Sequence, residues 1–563
     1  MTAQSLDISK GWKFRKGDFS EWSAPELADD DWLSVPDGQG WQRFQGIEHC
    51  GWGWYRKKIF IPASMRKDTE AKGGFSLHLG RKDEIDQVVF NGDLLAPNIS
   101  RNAVFRKNAE LDGHFLVPEQ AIKWGQDNTI ALRVYDSWGA ALYTEAFEID
   151  TASWIDHFRL DINFPFRNAN YSQNMDFEVN LNLHNSSSST IKGNLDCQIF
   201  TFRGKELCNS IILPFKIRRN SKKKLTFPVA SLKAGIYKVS IRLRTLEGEE
   251  LTFEKGLAIS PENLISAPNL PEDFNSFWDS TKLELKQVNP QFRLIPQPLW
   301  SSEHVCTYLV EMQSFNNVKI RGWYTCPRAP GRYPAYLKMQ GYSSYMLPDT
   351  FMKGYAVLCM NIRGHGNSRD DVDPGFPGFL QEGLSDPATY IYRGAYMDGV
   401  RAVDFLCSRA EVDSTRIAVG GTSQGGALSL AVAAIDNRII CCAPDVPFLS
   451  DFRNYFKIAE WPANEFVAHQ EKTGASNENI FKTLDYFDVK NLATKIKCPV
   501  LMSVGLFDVV CPPQINFAAF NNLATSEKDK SFVLFPEAGH SLPWKTHQPI
   551  KMDWLDKHCG IIR

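Results

Sequence analysis

The chain has 563 residues, 43% of them hydrophobic and 23% charged, with a formal net charge of −2 at pH 7. Such a length implies three or four domains, the apolar share excludes a mostly disordered chain, and the near-neutral balance argues against a broad nucleic-acid-binding face. No run of about 18 apolar residues occurs, so no membrane-spanning helix is expected.

The opening residues, MTAQSLDISKGWKF, have no basic start, apolar core or cleavage site of a secretory signal. A cytoplasmic location is therefore expected, or a periplasmic or secreted one if a leader has been removed. Among the twelve cysteines, Cys359, Cys441, Cys442 and Cys498 sit in or beside apolar strand-like runs, where a free thiol is ordinary core filling. No pair has CxxC metal spacing, and a reducing compartment fits this usage.

Residues 1–150 read as short strands separated by turns, in stretches such as GWGWYRKKIFIP, FSLHLGRKDEIDQVVFNG and NTIALRVYD. Asn91-Gly92 signals a tight hairpin turn. A β-sandwich is the expected architecture. Residues 151–260 remain β in character: MDFEVNLNLHN alternates strictly, the serines 186–189 form a loop, and AGIYKVSIRLRTLEGEE reads as a hairpin. A second, immunoglobulin-like sandwich is expected there.

From residue 261 onward the pattern changes. Pro268 and Pro271 precede a helix that Asp273 or Asn275 could cap. Short apolar strands (PAYLKMQG, YAVLCMNIRG, RIAVGG, IICCAPD, PVLMSVGLFD, FVLFPEAG) then alternate with helical stretches. The fold class this implies is a mostly parallel sheet covered by helices on both faces, preceded by the two all-β sandwiches.

Within that region, GTSQG (Gly421 to Gly425) joins the strand RIAVGG to the small-residue helix GALSLAVAAI. A GxSxG in a strand–turn–helix context forms a nucleophile elbow with the serine, Ser423, at its tip. Five residues of this kind also occur by chance, so the context carries the reading. A hydroxyl needs a base to take its proton, and in this fold an acid and then a histidine follow the serine on loops after later strands. Asp508 follows the strand PVLMSVGLF and His540 follows FVLFPEAG. His540 would shuttle the proton while Asp508 fixes the imidazole tautomer. Asp445 and Asp398 are rival acids that spacing does not eliminate. The developing oxyanion needs two N–H donors: the residue after the nucleophile, Gln424, and the loop YLKMQGYSSY, where Tyr342 is the candidate. A shallow acyl pocket is expected from Tyr342, Pro447 and Phe448, and neither a metal nor an organic cofactor is required.

Residues 262–563 resemble carbohydrate esterase family 7, the acetyl xylan esterase/cephalosporin C deacetylase family of the α/β-hydrolase superfamily. The resemblance rests on PEDFNSFW, QGYS, RGHGNS, YIYRGAYMDGVRAVDFL, GTSQGG, APDVPFL, LMSVGLFDVVCPP and PEAGH, in that order. It implies the same triad, Ser423, Asp508 and His540, and the same oxyanion amides, Tyr342 and Gln424. Three positions depart from the pattern: Gln340 replaces the histidine of HGY, His365 replaces the glutamine of RGQ, and Ser541 replaces the glutamate of HE. His365 then reads as a structural or pocket-lining residue, not a base. Residues 8–150 resemble the sugar-binding jelly roll of family 2 glycoside hydrolases through GWKFRKGD, DDDWLSVP and GWGWYRKKIFIP. Trp12, Trp32, Trp52 and Trp54 could stack on sugars, but core and turn packing is the simpler reading.

The resemblance implies a serine esterase that removes acetyl groups from acetylated oligosaccharides through an acetyl-enzyme; charge and the lack of an apolar run leave no nucleic-acid or membrane partner expected. The resemblance also implies a homo-oligomer, which the added domains could obstruct. Two alternatives stand beside it. One is a serine peptidase of the prolyl-oligopeptidase type, although no propeller repeats precede the core. The other is a carbohydrate-binding protein with a degenerate hydrolase domain.

Overall fold

A computed structural model describes residues 5–35, 51–79, 85–95, 103–105, 109–110, 114–136, 147–165, 170–202, 206–246 and 248–561. It divides into two units, Met1–Lys233 with Tyr237–Ile259, and Ala234–Ile236 with Ser260–Arg563.

Among its described residues the first unit is β-rich, with one short α-helix at Arg66–Lys72, and its two largest cores are separate. In the first, a four-stranded sheet (Leu6–Asp7, Glu148–Thr151, Gly74–His78, His114–Pro118) faces a six-stranded one. Phe75, Leu77 and Ile149 from the former pack with Tyr55, Ile61, Phe90 and Leu132 from the latter. Asn91 and Gly92 make a two-residue hairpin turn, both with positive φ (49° and 91°), between Phe90 and Asp93. Residues 80–84 of the stretch FSLHLGRKDEIDQVVFNG lie outside the described residues; Gly74–His78 and Ile85–Phe90 are strands of different sheets. Trp12, Trp32 and Trp54 are buried, and Trp52 stacks under the Arg133 guanidinium at 3.6 Å, so these indoles pack the domain.

In the second core, the three strands Phe158–Asn163, Phe177–Asn185 and Ser221–Val229 form one sheet, and a seven-stranded sheet is built on Ile191–Thr201, Gly235–Thr245 and Glu250–Ile259. Phe177–Asn185 alternates buried and exposed residues along its whole length, the period-2 signature read from its sequence. Leu181 and Leu183 meet Leu195, Ile241 and Leu243 in the core.

The second unit carries a nine-stranded sheet. In chain order its strands are β1 (Arg293–Pro296), β2 (Val305–Gln313), β3 (Lys319–Pro327), β4 (Tyr333–Met339), β5 (Ala356–Asn361), β6 (Val412–Thr422), β7 (Ile439–Asp445), β8 (Val500–Gly505) and β9 (Lys530–Phe535). Their order across the sheet is β1-β2-β3-β5-β4-β6-β7-β8-β9. β1, β2 and β3 are antiparallel, β3 is antiparallel to β5, and all pairings from β5 to β9 are parallel. Strands buried on both faces need continuous apolar runs, and β5, AVLCMN, is buried at every position.

Six helices matter for the site: α1 (Phe274–Gln287), α2 (Ile391–Cys407), α3 (Gln424–Ile435), α4 (Phe452–Ile458), α5 (Ala463–Thr473) and α6 (Trp544–Cys559). One sheet face, including Tyr336, Cys359, Ala418 and Cys441, packs against Leu555 and Cys559 of α6. On the other face α2 meets α3 so closely that a Cβ on Gly399 would lie 2.3 Å from Val432 and 3.4 Å from Met339. This is the expected α/β-hydrolase architecture behind β-rich domains. One detail differs from the sequence reading. Asp273 occupies the N-cap position of α1 without capping it; its carboxylate accepts the Tyr486 hydroxyl. Asn275 lies inside the helix and accepts Lys495 Nζ at 2.8 Å.

Candidate active site

β6 runs between β4 and β7, with Gly421 opposite Met339 and Pro444, and Thr422 opposite Asp445. Parallel neighbours end on one edge, so the loops that follow these strands emerge together, where open α/β sheets bind ligands.

Ser423 is the single residue between β6 and α3, with φ 60° and ψ −122°. A non-glycine residue held there is strained by roughly 1–3 kcal/mol. Its N–H donates to the Asp445 carbonyl at 2.9 Å, and its own carbonyl accepts the N–H groups of Ala427 and Phe448, each at 3.1 Å. The flanking glycines answer a close approach. A Cβ at Gly421 would lie 2.5 Å from the Met339 carbonyl oxygen, and one at Gly425 would lie 2.2 Å from the same atom. The turn is thereby pressed onto the end of β4.

Asp508 is fully buried. Its Oδ1 accepts the N–H groups of Val510 and Cys511, each at 2.8 Å, and its Oδ2 lies 2.8 Å from Nδ1 of His540. The proton between them sits on Nδ1 when the imidazole is neutral, which leaves Nε2 as the acceptor. Phe507 N–H donates to the Ala538 carbonyl at 2.9 Å and ties the two loops together. Cys511 Sγ is 3.8 Å from Ser423 Oγ. It also belongs with Asp508 and His540 to a group whose potential ligand atoms all lie within 4.8 Å of one another. Serine, thiol, imidazole and carboxylate thus share one small volume. The donor types suit a soft divalent cation, but both carboxylate oxygens are already engaged by the loop amides and His540. Burial and the Asp508 charge push the Cys511 thiol well above its ordinary pKa, so it stays protonated.

Among the described residues, the backbone N–H groups of Tyr342 and Gln424 have no hydrogen-bond acceptor. The side chains of both residues are anchored. The Tyr342 hydroxyl donates to Glu465 Oε2 on α5 at 2.6 Å, and burial raises the Glu465 pKa. Gln424 is held at both ends of its amide: Oε1 accepts the Tyr392 hydroxyl at 2.5 Å, and Nε2 lies 3.1 Å from His365 Nε2. His365 Nδ1 faces the Arg363 carbonyl at 3.3 Å and can only donate to it, so Nε2 accepts from Gln424. This histidine is neutral, because burial lowers its pKa to about 3.

The rival acids are engaged elsewhere. The carboxylate of Asp398 on α2 accepts three hydrogen bonds from Arg363, donated by its backbone N–H, Nε and Nη2. Asp445 meets His547 Nε2 at 2.9 Å and Lys551 Nζ at 2.7 Å. Burial would raise the Asp445 pKa, but these two partners hold it well below the usual carboxylate range. Pro447 and Phe448 follow β7 and are buried, with the Phe448 ring 5.2 Å from Tyr455. The sequence reading missed Cys511, Glu465 and Tyr392. Cys511 had a local signal, three residues after Asp508; Glu465 and Tyr392 had none, since only the folded chain brings them to the site.

A family model for acetyl xylan esterase (AXE1) matches residues 262–558. A curated relative, acetyl esterase Axe7A of Xylanibacter ruminicola, is 29% identical over 317 residues, which cover 54% of this chain and 70% of that protein. The solved acetyl xylan esterase from Paenibacillus sp. R4 is 34% identical with a TM-score of 0.50, over 53% of this chain and 98% of that chain. An uncharacterized peptidase, YuxL of Bacillus subtilis, is 26% identical over 354 residues, 58% of this chain and 50% of that protein. The family match spans more than half of the residues and contains the elbow, the Asp508–His540 pair and both amide loops; the chain belongs to the acetyl xylan esterase family.

Proposed function

We propose that this protein is a serine esterase that removes O-acetyl groups from acetylated xylo-oligosaccharides. The observation that carries the reading is the Asp508–His540 pair beside a serine elbow, within the segment matched by the family. Ser423 Oγ attacks the acetyl carbonyl carbon while His540 Nε2 takes its proton. The carbonyl π electrons move to oxygen, and the N–H groups of Tyr342 and Gln424 receive the oxyanion; each such donor is worth roughly 10²–10³-fold in rate. The C–O bond to the sugar then breaks, and His540 returns the proton to the departing alkoxide. Water, deprotonated by the same histidine, hydrolyses the acetyl-enzyme to acetate. The Pro447–Phe448 segment supplies the apolar side for the methyl group. No metal or organic cofactor enters these steps. Residues 1–150 are read as a galactose-binding-like jelly roll and 151–260 as an immunoglobulin-like sandwich.

The test is acetate release by the full chain from acetylated xylo-oligosaccharides, with proline-linked peptide anilides as the competing substrate. Ser423→Ala should abolish acetate release. Release that survives this change, or turnover of peptides alone, would overturn the proposal.

A further inference from the structure

Among the described tryptophans of the hydrolase unit, Trp461 alone is exposed, with 46% of its surface open to solvent; Trp278 is buried and Trp300, Trp323, Trp544 and Trp554 are half-buried. Trp461 lies between α4 and α5. Its ring is 6.0 Å from that of Tyr342, tilted by 54°. One part of the indole packs on Tyr342 and the rest stays open to solvent, so the ring offers a free apolar surface beside that residue.

We propose that the Trp461 indole is the stacking platform for the sugar ring that bears the ester, which makes it a specificity-determining residue; this rests on the esterase reading above. The argument is one of directions. A bound ester has three substituents around its carbonyl carbon. The oxygen goes to the Tyr342 and Gln424 amides, and the methyl group needs a small apolar niche, which the buried Pro447–Phe448 side offers. The sugar must leave by an open side, because an oligosaccharide continues beyond its esterified unit. The solvent-exposed ring that packs beside the Tyr342 side chain is Trp461.

The platform is also positioned firmly against the oxyanion loop. Tyr342 OH is bonded to Glu465, four residues beyond Trp461, and the Glu465 carbonyl accepts Gln381 Nε2 at 2.8 Å. The Tyr342 ring also meets Phe376 at 5.0 Å, edge to face. Trp461 therefore keeps a fixed place relative to the amide that would hold the carbonyl oxygen. The C–H faces of a pyranose suit such a flat apolar ring, and a rigid aromatic binds with little loss of side-chain entropy.

The experiment compares two acetate esters in the full chain: an acetylated xylo-oligosaccharide, and ethyl acetate, whose alcohol has no sugar ring to stack. Trp461→Ala should lower kcat/KM for the sugar ester about tenfold, chiefly through KM, as expected for removing one aromatic face from an apolar contact. Ethyl acetate hydrolysis should change less than about twofold, so the ratio between the substrates drops. Trp461→Phe, which keeps a flat ring, should recover most of the loss. An equal fall on both esters would overturn the platform in favour of a structural role, and so would no fall on either. If the unaltered chain cleaves ethyl acetate but not the sugar ester, the platform is wrong while the serine esterase stands. If it cleaves neither, both readings fail.

Discussion

Replacing His365 with leucine tests whether the side chain of Gln424 governs its backbone N–H. In the folded chain His365 Nε2 accepts from Gln424 Nε2 at 3.1 Å, while Tyr392 holds the other end of the same amide at 2.5 Å. Leucine removes the acceptor and leaves a buried N–H unsatisfied, at a cost of about 1–3 kcal/mol in stability. It also releases one of the two anchors of the residue whose N–H is proposed to meet the oxyanion. Losing that donor outright would cost roughly 10²–10³-fold in kcat; misplacing it with Tyr392 still bonded should cost about tenfold. Because the contact forms in the transition state, kcat should fall with little change in KM. Affinity for a boronic acid that mimics the tetrahedral adduct should fall by the same factor. His365→Gln restores an acceptor and should bring kcat back to within about threefold. The reasoning is refuted if His365→Leu melts earlier yet keeps its kcat, or if the glutamine variant performs no better than leucine.

Two further outcomes follow from buried groups. His365 has a folded pKa near 3 against an ordinary 6.5, so the unfolded chain binds a proton that the native site refuses. Its contribution therefore weakens as pH falls from about 6.5 toward 3, by about 1.4 kcal/mol per unit. Urea unfolding at pH 7 and pH 5 should show the unaltered chain losing about 2 kcal/mol relative to His365→Gln; parallel losses in the two proteins would refute the assignment. Lys551→Met removes the 2.7 Å partner of buried Asp445 and should cost about 3 kcal/mol, the size expected when one member of a buried ion pair is lost. A loss below about 1 kcal/mol in urea unfolding would mean that His547 alone suffices to hold that carboxylate.

Much of the site was legible because its chemistry is local in sequence. GTSQG announces both the strained turn and the small residues that let it press on β4, and the Met339 oxygen lies where a Cβ at either glycine would clash. Asp508 and His540 could be proposed from their places after successive strands, because parallel sheets deliver strand ends to one edge. Spacing left Asp445 and Asp398 as rivals of Asp508: all three are buried acids, and only the folded chain reveals that Arg363 takes one and α6 takes another. The capping expectation for Asp273 failed for a similar reason, since Tyr486 lies 213 residues away in the chain and claims that carboxylate. Tyr342 was chosen for its backbone, and nothing in its neighbourhood announced Glu465 as the partner of its hydroxyl.

The buried charges beneath β7 and the strained serine belong to one assembly. Asp445 is the last residue of β7. Its side chain is gripped by His547 and Lys551 of α6, and its carbonyl accepts the Ser423 N–H. A Cβ on Gly426, in the first turn of α3, would lie 2.8 Å from that same carbonyl oxygen. The elbow can hold its positive φ because strain at one residue persists only where its surroundings over-determine the backbone. Ion pairs in a core are poor sources of net stability, since desolvation offsets most of their attraction. Their value here is geometric: they fix the carbonyl that accepts the Ser423 N–H, in a region where an apolar side chain could fill the space but could not fix a direction.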